Sequence, residues 1–144
     1  MKISPYLNFD GRCEAAMRRY AEVLGGQIVA MMPYAGSPMA DEGECDFPDG
    51  FAGKVMHACL QVGDQMIMGA DAPPQYFEKP QGTSVSLHID DPAEAERVFA
   101  ALMEGESRIT LPIQPTFWAL RFGSGVDRFG TPWMINCSDP AVQA

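Results

Sequence analysis

The sequence predicts an α+β chain made of two β-α-β-β-β modules, and three observations predict it. Residues 4–25 read a second time at 84–105: at an offset of 80, Ser4, Leu7, Asp10, Glu14, Ala15, Ala21 and Gly25 are matched by Ser84, Leu87, Asp90, Glu94, Ala95, Ala101 and Gly105. Seven identities in 22 positions exceed the roughly one or two expected from background composition. Each copy carries a strand followed by a helix start, and each helix is followed by three strand-like runs.

The first strand spans Ile3 to Phe9, turns at Asp10-Gly11, and leads into a helix whose apolar face is Ala16, Tyr20, Val23 and Leu24, ended by Gly25-Gly26. Tyr20 answers Phe99 at an offset of 79 rather than 80, so one residue is gained or lost near the helix start. Strands are then expected over Gln27–Met32, Lys54–Val62 and Gln65–Met68, the last two joined tightly through Gly63-Asp64. In the second copy, Ser84 to Ile89 alternates with Val85, Leu87 and Ile89 on one face and Ser84, Ser86 and His88 on the other, the period of a half-buried strand. Asp91-Pro92-Ala93-Glu94 is a helix start: Asp can cap, Pro suits the first helical position, and Glu94 stands where a capping box places a carboxylate. Ala95, Val98, Phe99, Leu102 and Met103 should point inward, with a stop at Gly105. Strands over Arg108–Leu111, Thr116–Phe122 and Trp133–Asn136 follow, with Asp127 to Gly130 as a turn whose aspartate accepts hydrogen bonds.

One domain of two modules results, 1–72 and 82–138, joined by a proline-rich linker at 73–81. Pro33 to Gly53, carrying Asp41, Glu42, Glu44, Asp46 and Asp49, stands outside the repeat and reads as an acidic surface loop or lid.

A net charge of −9 without a basic stripe excludes a nucleic-acid partner, and a cationic or neutral small molecule is electrostatically easier. No apolar run reaches the roughly 18 residues of a membrane span, and Met1 to Phe9 has no apolar core or cleavage site, so the expected location is the cytoplasm. Cys13, Cys45, Cys59 and Cys137 lack paired spacing and read as reduced thiols.

The residues also resemble a family. Tyr6 to Glu14, His57 to Asp71, Phe117 to Gly123 and Asp127 to Trp133 are similar to the PhnB-like branch of the vicinal oxygen chelate superfamily, which includes glyoxalases, extradiol dioxygenases and bleomycin- and fosfomycin-resistance proteins. The resemblance covers nearly the whole chain. It implies that the modules curl into a mixed, largely antiparallel eight-stranded cup with a ligand site between them, and it implies a homodimer. A methyltransferase label attached to part of this branch finds little support in the residues, because no glycine-rich loop follows a first strand of a parallel α/β domain.

Metal-dependent members of the superfamily use four ligands on the first and last strands of the modules. By the repeat those positions are Asn8 and His88 on the first strands, and Ile67 and Met134 on the last, with Gly69 and Asn136 two residues on along the same face. Only His88 among the first four suits a divalent ion, so no cofactor is expected. If a divalent metal binds, His57 and His88 are its first candidates, completed by Cys59 or Asp71. His57 falls on a strand where Val55, Cys59 and Gln61 share its face. Without a metal, His88 and His57 are the candidate catalytic groups, since an imidazole titrates near neutrality, and a purely ligand-orienting or structural role stands beside that reading. The ligand-binding candidates are Asn8, Cys59, Trp118, Arg121, Met134 and Asn136. Arg121 can hold an anionic group, and ten methionines with the aromatic residues provide adaptable apolar surface or core. Three functions remain open: binding of a small organic molecule with undefined activity, a divalent-metal-dependent lyase, isomerase or transferase of the glyoxalase type, and antibiotic sequestration of the bleomycin-resistance type.

Overall fold

Each half of the chain lays one helix against one face of a four-stranded sheet. The computed structural model describes residues 1–35 and 50–142, and the chain divides into two units, Met1–Glu78 and Lys79–Ala144. The dividing point falls inside the 73–81 segment. The acidic stretch Asp41 to Asp49 lies outside the described residues.

The first unit contains β1 (Tyr6–Phe9), α1 (Cys13–Leu24), β2 (Gln27–Pro33), β3 (Val55–Val62) and β4 (Gln65–Asp71). Its sheet runs β1-β4-β3-β2, with β1 parallel to β4 and the other pairs antiparallel. The second repeats the plan with β5 (Val85–His88), α2 (Pro92–Leu102), β6 (Arg108–Gln114), β7 (Ala119–Val126) and β8 (Pro132–Ser138). Its order is β5-β8-β7-β6, again with the first strand parallel to the last. The predicted α+β class and the two β-α-β-β-β modules are therefore present.

Helix α1 buries Cys13, Ala16, Met17, Tyr20 and Val23, a stripe at three- and four-residue spacing. It rests on Ala58 and Leu60 of β3, both fully buried, and Tyr20 meets Phe9 of β1 with ring centroids 6.5 Å apart. Gly25, at φ 70°, ends the helix in the left-handed region. At its start no side chain of the helix's own sequence caps it. The carboxylate of Asp71, at the far end of β4, does so instead. Its Oδ1 accepts the N–H groups of Gly11 and Cys13, each at 2.9 Å, and its Oδ2 accepts that of Val55 at 2.9 Å. One buried side chain thus joins the β1–α1 turn, α1, β3 and β4.

In the second unit the cap is local, as the capping-box reading requires: Asp91 accepts from the Glu94 N–H at 3.2 Å, and Pro92 opens the helix. Ala95, Val98, Phe99, Leu102 and Met103 are all buried. Trp133, Ile135 and Cys137 of β8, fully buried, form the floor beneath α2. Asp127 organises the β7–β8 turn by accepting from Phe129 and Thr131 N–H with Oδ1 and from Trp133 Nε1 with Oδ2, at 2.9, 2.9 and 2.8 Å.

Several boundaries differ from the expectation, for physical reasons. Strand β7 begins at Ala119 rather than Thr116, because Thr116 and Ala119 close a turn: the Thr116 N–H donates to the Ala119 carbonyl, and the Ala119 N–H donates to Thr116 Oγ1. It then runs past the expected end at Phe122 through Gly123-Ser124-Gly125-Val126. The glycines are needed for close approach, since a Cβ on Gly123 would lie 2.9 Å from the Ile113 backbone and one on Gly125 2.6 Å from Met103 Sδ. Strand β6 extends to Gln114 despite Pro112, which an edge strand with irregular register tolerates. Helix α2 stops at Leu102, earlier than Gly105, and β1 is confined to Tyr6–Phe9.

Candidate functional site

Strand alternation sorts each sheet into a helix-covered face and a helix-free face, and most of the candidate residues fall on the second. In the first unit, Phe9, Ala58 and Leu60 lie under α1. Asn8, His57 and Cys59 therefore point the other way, together with Tyr6, Met66 and Met68. The Tyr6 hydroxyl and His57 Nδ1 share a hydrogen bond of 3.1 Å, and their rings stack with centroids 5.7 Å apart. Tyr6 was not singled out from sequence, although its position two residues before Asn8 on a strand is the signal that would have found it. Burial, and then the charge the Cys13 thiol would carry, raise the Tyr6 phenol above its ordinary pKa, so it stays protonated at neutral pH. On the same face the Cys59 thiol contacts Met66 Sδ at 3.6 Å.

Two expectations for the first unit need correction. The last-strand positions Ile67 and Gly69 lie on the helix-covered face: a Cβ on Gly69 would meet Phe9 and Cys13. The β1–β4 register pairs Asn8 with Ala70, whereas β5–β8 pairs His88 with Asn136. The true equivalents of Met134 and Asn136 are thus Met68 and Ala70. The slip arose because β3 and β4 are joined by a two-residue turn while β7 and β8 are joined by five residues, so matching Gly63 to Gly130 shifts one strand by a residue and flips its faces. Asp71, offered as a completing metal ligand, is instead the buried acceptor of three backbone N–H groups.

In the second unit His88, Met134 and Asn136 share the helix-free face. His88 and Asn136 are register partners, and Asn136 is in turn paired with Phe122. Trp118 packs edge-on against Phe122 at 5.4 Å and against Phe117 at 4.7 Å. A row therefore crosses three strands: His88 on β5, Asn136 on β8, Phe122 on β7, and Trp118 beside it. Its polar end is extended by Ser86, 3.4 Å from His88 Nε2, and by Ser138, whose Oγ accepts from Asn136 Nδ2 at 3.1 Å. Alternation puts Ser86 on the His88 face, but neither serine stands among the site residues expected from sequence. His88 is exposed, and Trp118 is 40% exposed.

Arg121 is not part of this row. It pairs in register with Cys137, on the helix-covered side, where its Nε donates to Glu96 of α2 at 2.6 Å and its Nη1 to the Leu120 carbonyl at 2.6 Å. The bulge between Ala119 and Arg121 reverses the alternation, which along an unbroken strand would put Arg121 on the same face as Phe117 and Ala119. Among the described residues, no three His, Cys, Asp or Glu side chains gather as a metal-binding group. Cys13 is fully buried, and burial, with the neighbouring Asp71 and Glu14 carboxylates, pushes its thiol up to about 12. Cys137 is shifted upward as well, chiefly by burial. Both are thiols rather than thiolates at neutral pH.

Comparison with known proteins places this architecture. The family model described as 3-demethylubiquinone-9 3-methyltransferase matches residues 1–136. Protein YjdN of Escherichia coli (strain K12) is 32% identical over 143 residues, covering 94% of this chain and 95% of that protein. The crystal structure of protein PA1353 from Pseudomonas aeruginosa has 44% identity and a TM-score of 0.85, covering 96% of this chain and 98% of the other. A PhnB protein from Bacillus cereus, at 24% identity, covers 96% of this chain and all of its own with a TM-score of 0.76. The bleomycin resistance determinant encoded on transposon Tn5 shares the fold at 20% identity and a TM-score of 0.57, covering 96% and 98% of the two chains. With a family model matching residues 1–136 and a β-α-β-β-β unit in each half, the chain belongs to the PhnB-like family that this model describes, and it shares the glyoxalase/bleomycin-resistance fold of these neighbours.

Proposed function

We propose that this protein binds a small neutral or cationic organic molecule, and that the row His88, Asn136, Phe122 and Trp118 forms one wall of its site. The observation that supports this reading is the gradient along the row. Neighbouring strands are about 4.8 Å apart, so His88 and Phe122, separated by β8 alone, span about 10 Å, the length of a two-ring molecule. Hydrogen-bonding groups stand at one end and aromatic faces at the other, the combination that orients a ligand within an apolar site. The acidic balance of the chain favours a cation. Sequestration without turnover is the simplest form of this activity, and recovery of unaltered ligand after incubation separates it from catalysis. Methyl transfer, which the family description names, does not enter the reading: among the described residues, neither unit has the glycine-rich strand-to-helix turn that binds such a cofactor in parallel α/β domains.

A planar cationic dye that carries amino groups, proflavine, is a suitable probe, followed through tryptophan fluorescence. Saturable quenching is expected. Trp118→Ala should weaken it about tenfold, the loss of one aromatic pair, and His88→Ala about fivefold, the loss of one hydrogen bond. Quenching that never saturates, or that is identical in both variants, rejects the proposed wall.

We also infer that the protein is a homodimer. Edge strand β2 exposes Val29 and Met32 (50% and 43%) and edge strand β6 exposes Ile109 (49%). Open apolar edges of this kind are covered in stable proteins, most simply by a second copy. Sedimentation is expected to show a species of twice the 15.7 kDa chain mass at micromolar concentration. A single 15.7 kDa species contradicts it.

A further inference from the structure

We propose that the helix-free face of the first unit holds a site for a soft monovalent metal ion, Cu(I), formed by the sulfur atoms of Cys59, Met66 and Met68. The observation is three sulfur side chains on one face of two adjacent strands, two of them already in contact. Cys59 is the register partner of Met68, and Met66 lies on the diagonal from Cys59 two residues earlier on β4. Cross-strand partners in such a pair have Cβ atoms about 5 Å apart, and diagonal neighbours are within reach of long side chains. The diagonal contact is already made, with Cys59 Sγ and Met66 Sδ 3.6 Å apart.

That distance suits a shared ion. Two sulfurs each about 2.3 Å from one metal and 3.6 Å from each other subtend about 103° at it, close to the tetrahedral angle. Thiolate with thioether is the soft donor set that selects Cu(I), whereas Mg, Ca and Mn prefer oxygen donors. Cys59 is 6% exposed and Met66 39% exposed, so the thiol is shielded while one thioether meets solvent and offers a path for entry. Binding forms a Cu–S bond at Cys59, and the thiol proton leaves to solvent. The copper enters as Cu(I) and remains so, with no electron transferred. The overall negative charge assists capture of a cation. Met68 stands at the last-strand position equivalent to Met134, and Cys59 is also a candidate for completing a divalent site, but an all-sulfur donor set selects a soft monovalent ion instead; none of the three residues belongs to the wall proposed above for the organic ligand.

The test is anaerobic titration of the full chain with the Cu(I)–bicinchoninate complex, carried out with Cys45→Ser as the parent protein so that this thiol, outside the described residues, does not contribute. Cys13 and Cys137 are fully buried. One equivalent of Cu(I) should transfer to the parent protein. Met66→Leu and Met68→Leu preserve volume, and each should weaken affinity by at least the ~10-fold that even an outer-shell loss costs a metal site. Cys59→Ser should abolish transfer. The result that overturns the proposal is no transfer to the parent protein, or transfer of equal strength to Cys59→Ser or to the Met66→Leu, Met68→Leu double variant. Circular dichroism of the two leucine variants confirms that they are folded, so their affinities report the site rather than the fold.

Discussion

Replacing Asp71 by alanine is expected to destabilise the protein by about 3–5 kcal/mol, the range for removing one partner from a buried charged network. The carboxylate is 1% exposed and accepts the backbone N–H groups of Gly11, Cys13 and Val55. The Cys13 and Val55 N–H groups are left buried when the side chain is removed, and the α1 start carries no side-chain cap of its own to replace it. Leaving buried donors unsatisfied costs about 1–3 kcal/mol apiece, and charge-assisted bonds stand at the upper end. Asp71→Asn separates this effect from loss of volume. The amide oxygen can still accept at one end, but its NH₂ group then faces an N–H donor, so about 2 kcal/mol should be lost. Urea unfolding measures both. If Asp71→Ala shifts the midpoint by less than the equivalent of about 1 kcal/mol, Asp71 is not the junction described here.

Trp133→Ala is the second large effect, with about 3–5 kcal/mol expected for truncation of a buried tryptophan. Trp133 is fully buried on β8, and its indole N–H donates to Asp127 Oδ2 at 2.8 Å. Truncation opens a cavity beneath α2 and removes a donor from a carboxylate that also organises the β7–β8 turn through Phe129 and Thr131. Trp133→Phe retains most of the volume and removes the N–H, so a smaller loss of about 1–2 kcal/mol isolates the hydrogen bond. Equal stability of wild type and Trp133→Ala in urea contradicts this assignment. The helix-free residues behave differently: His88 is exposed, so His88→Ala should leave the unfolding midpoint nearly unchanged while altering ligand binding.

The elements that were legible in the chain are those whose signals are local. Asp91-Pro92-Ala93-Glu94 carries its own cap and its own first-turn proline, and α2 begins there. Val85, Leu87, Ser86 and His88 alternate with a period of two, which is enough to place His88 opposite the helix-covered face. The same alternation placed His57 and Cys59 on one face of β3, and the repeat related Asn8 to His88. For the candidate site, however, alternation determines a face only while the register is continuous. At Arg121 a bulge reverses it, and at Ile67 an unequal turn length does so. A single extra residue exchanges the two faces of a strand, and a sequence does not announce where that residue is absorbed.

The sequence by itself determined that the chain is a duplicated β-α-β-β-β unit, where its second helix begins, and which residues alternate along uninterrupted strands. These follow from periodicity, turn chemistry and propensity within a few residues. Only the tertiary structure decided that Asp71 caps a helix 58 residues away in the chain, that Tyr6 engages His57 across the sheet, that Arg121 serves α2 through Glu96, and that Cys59 meets Met66. It also showed that Gly123 and Gly125, beyond the expected strand end at Phe122, lie within β7, where Ile113 and Met103 occupy the space a side chain would need. Each of these contacts depends on pairing register and on the approach of distant segments. Those are set when buried donors are satisfied and the two faces of each sheet are packed, and no local stretch of sequence contains that information.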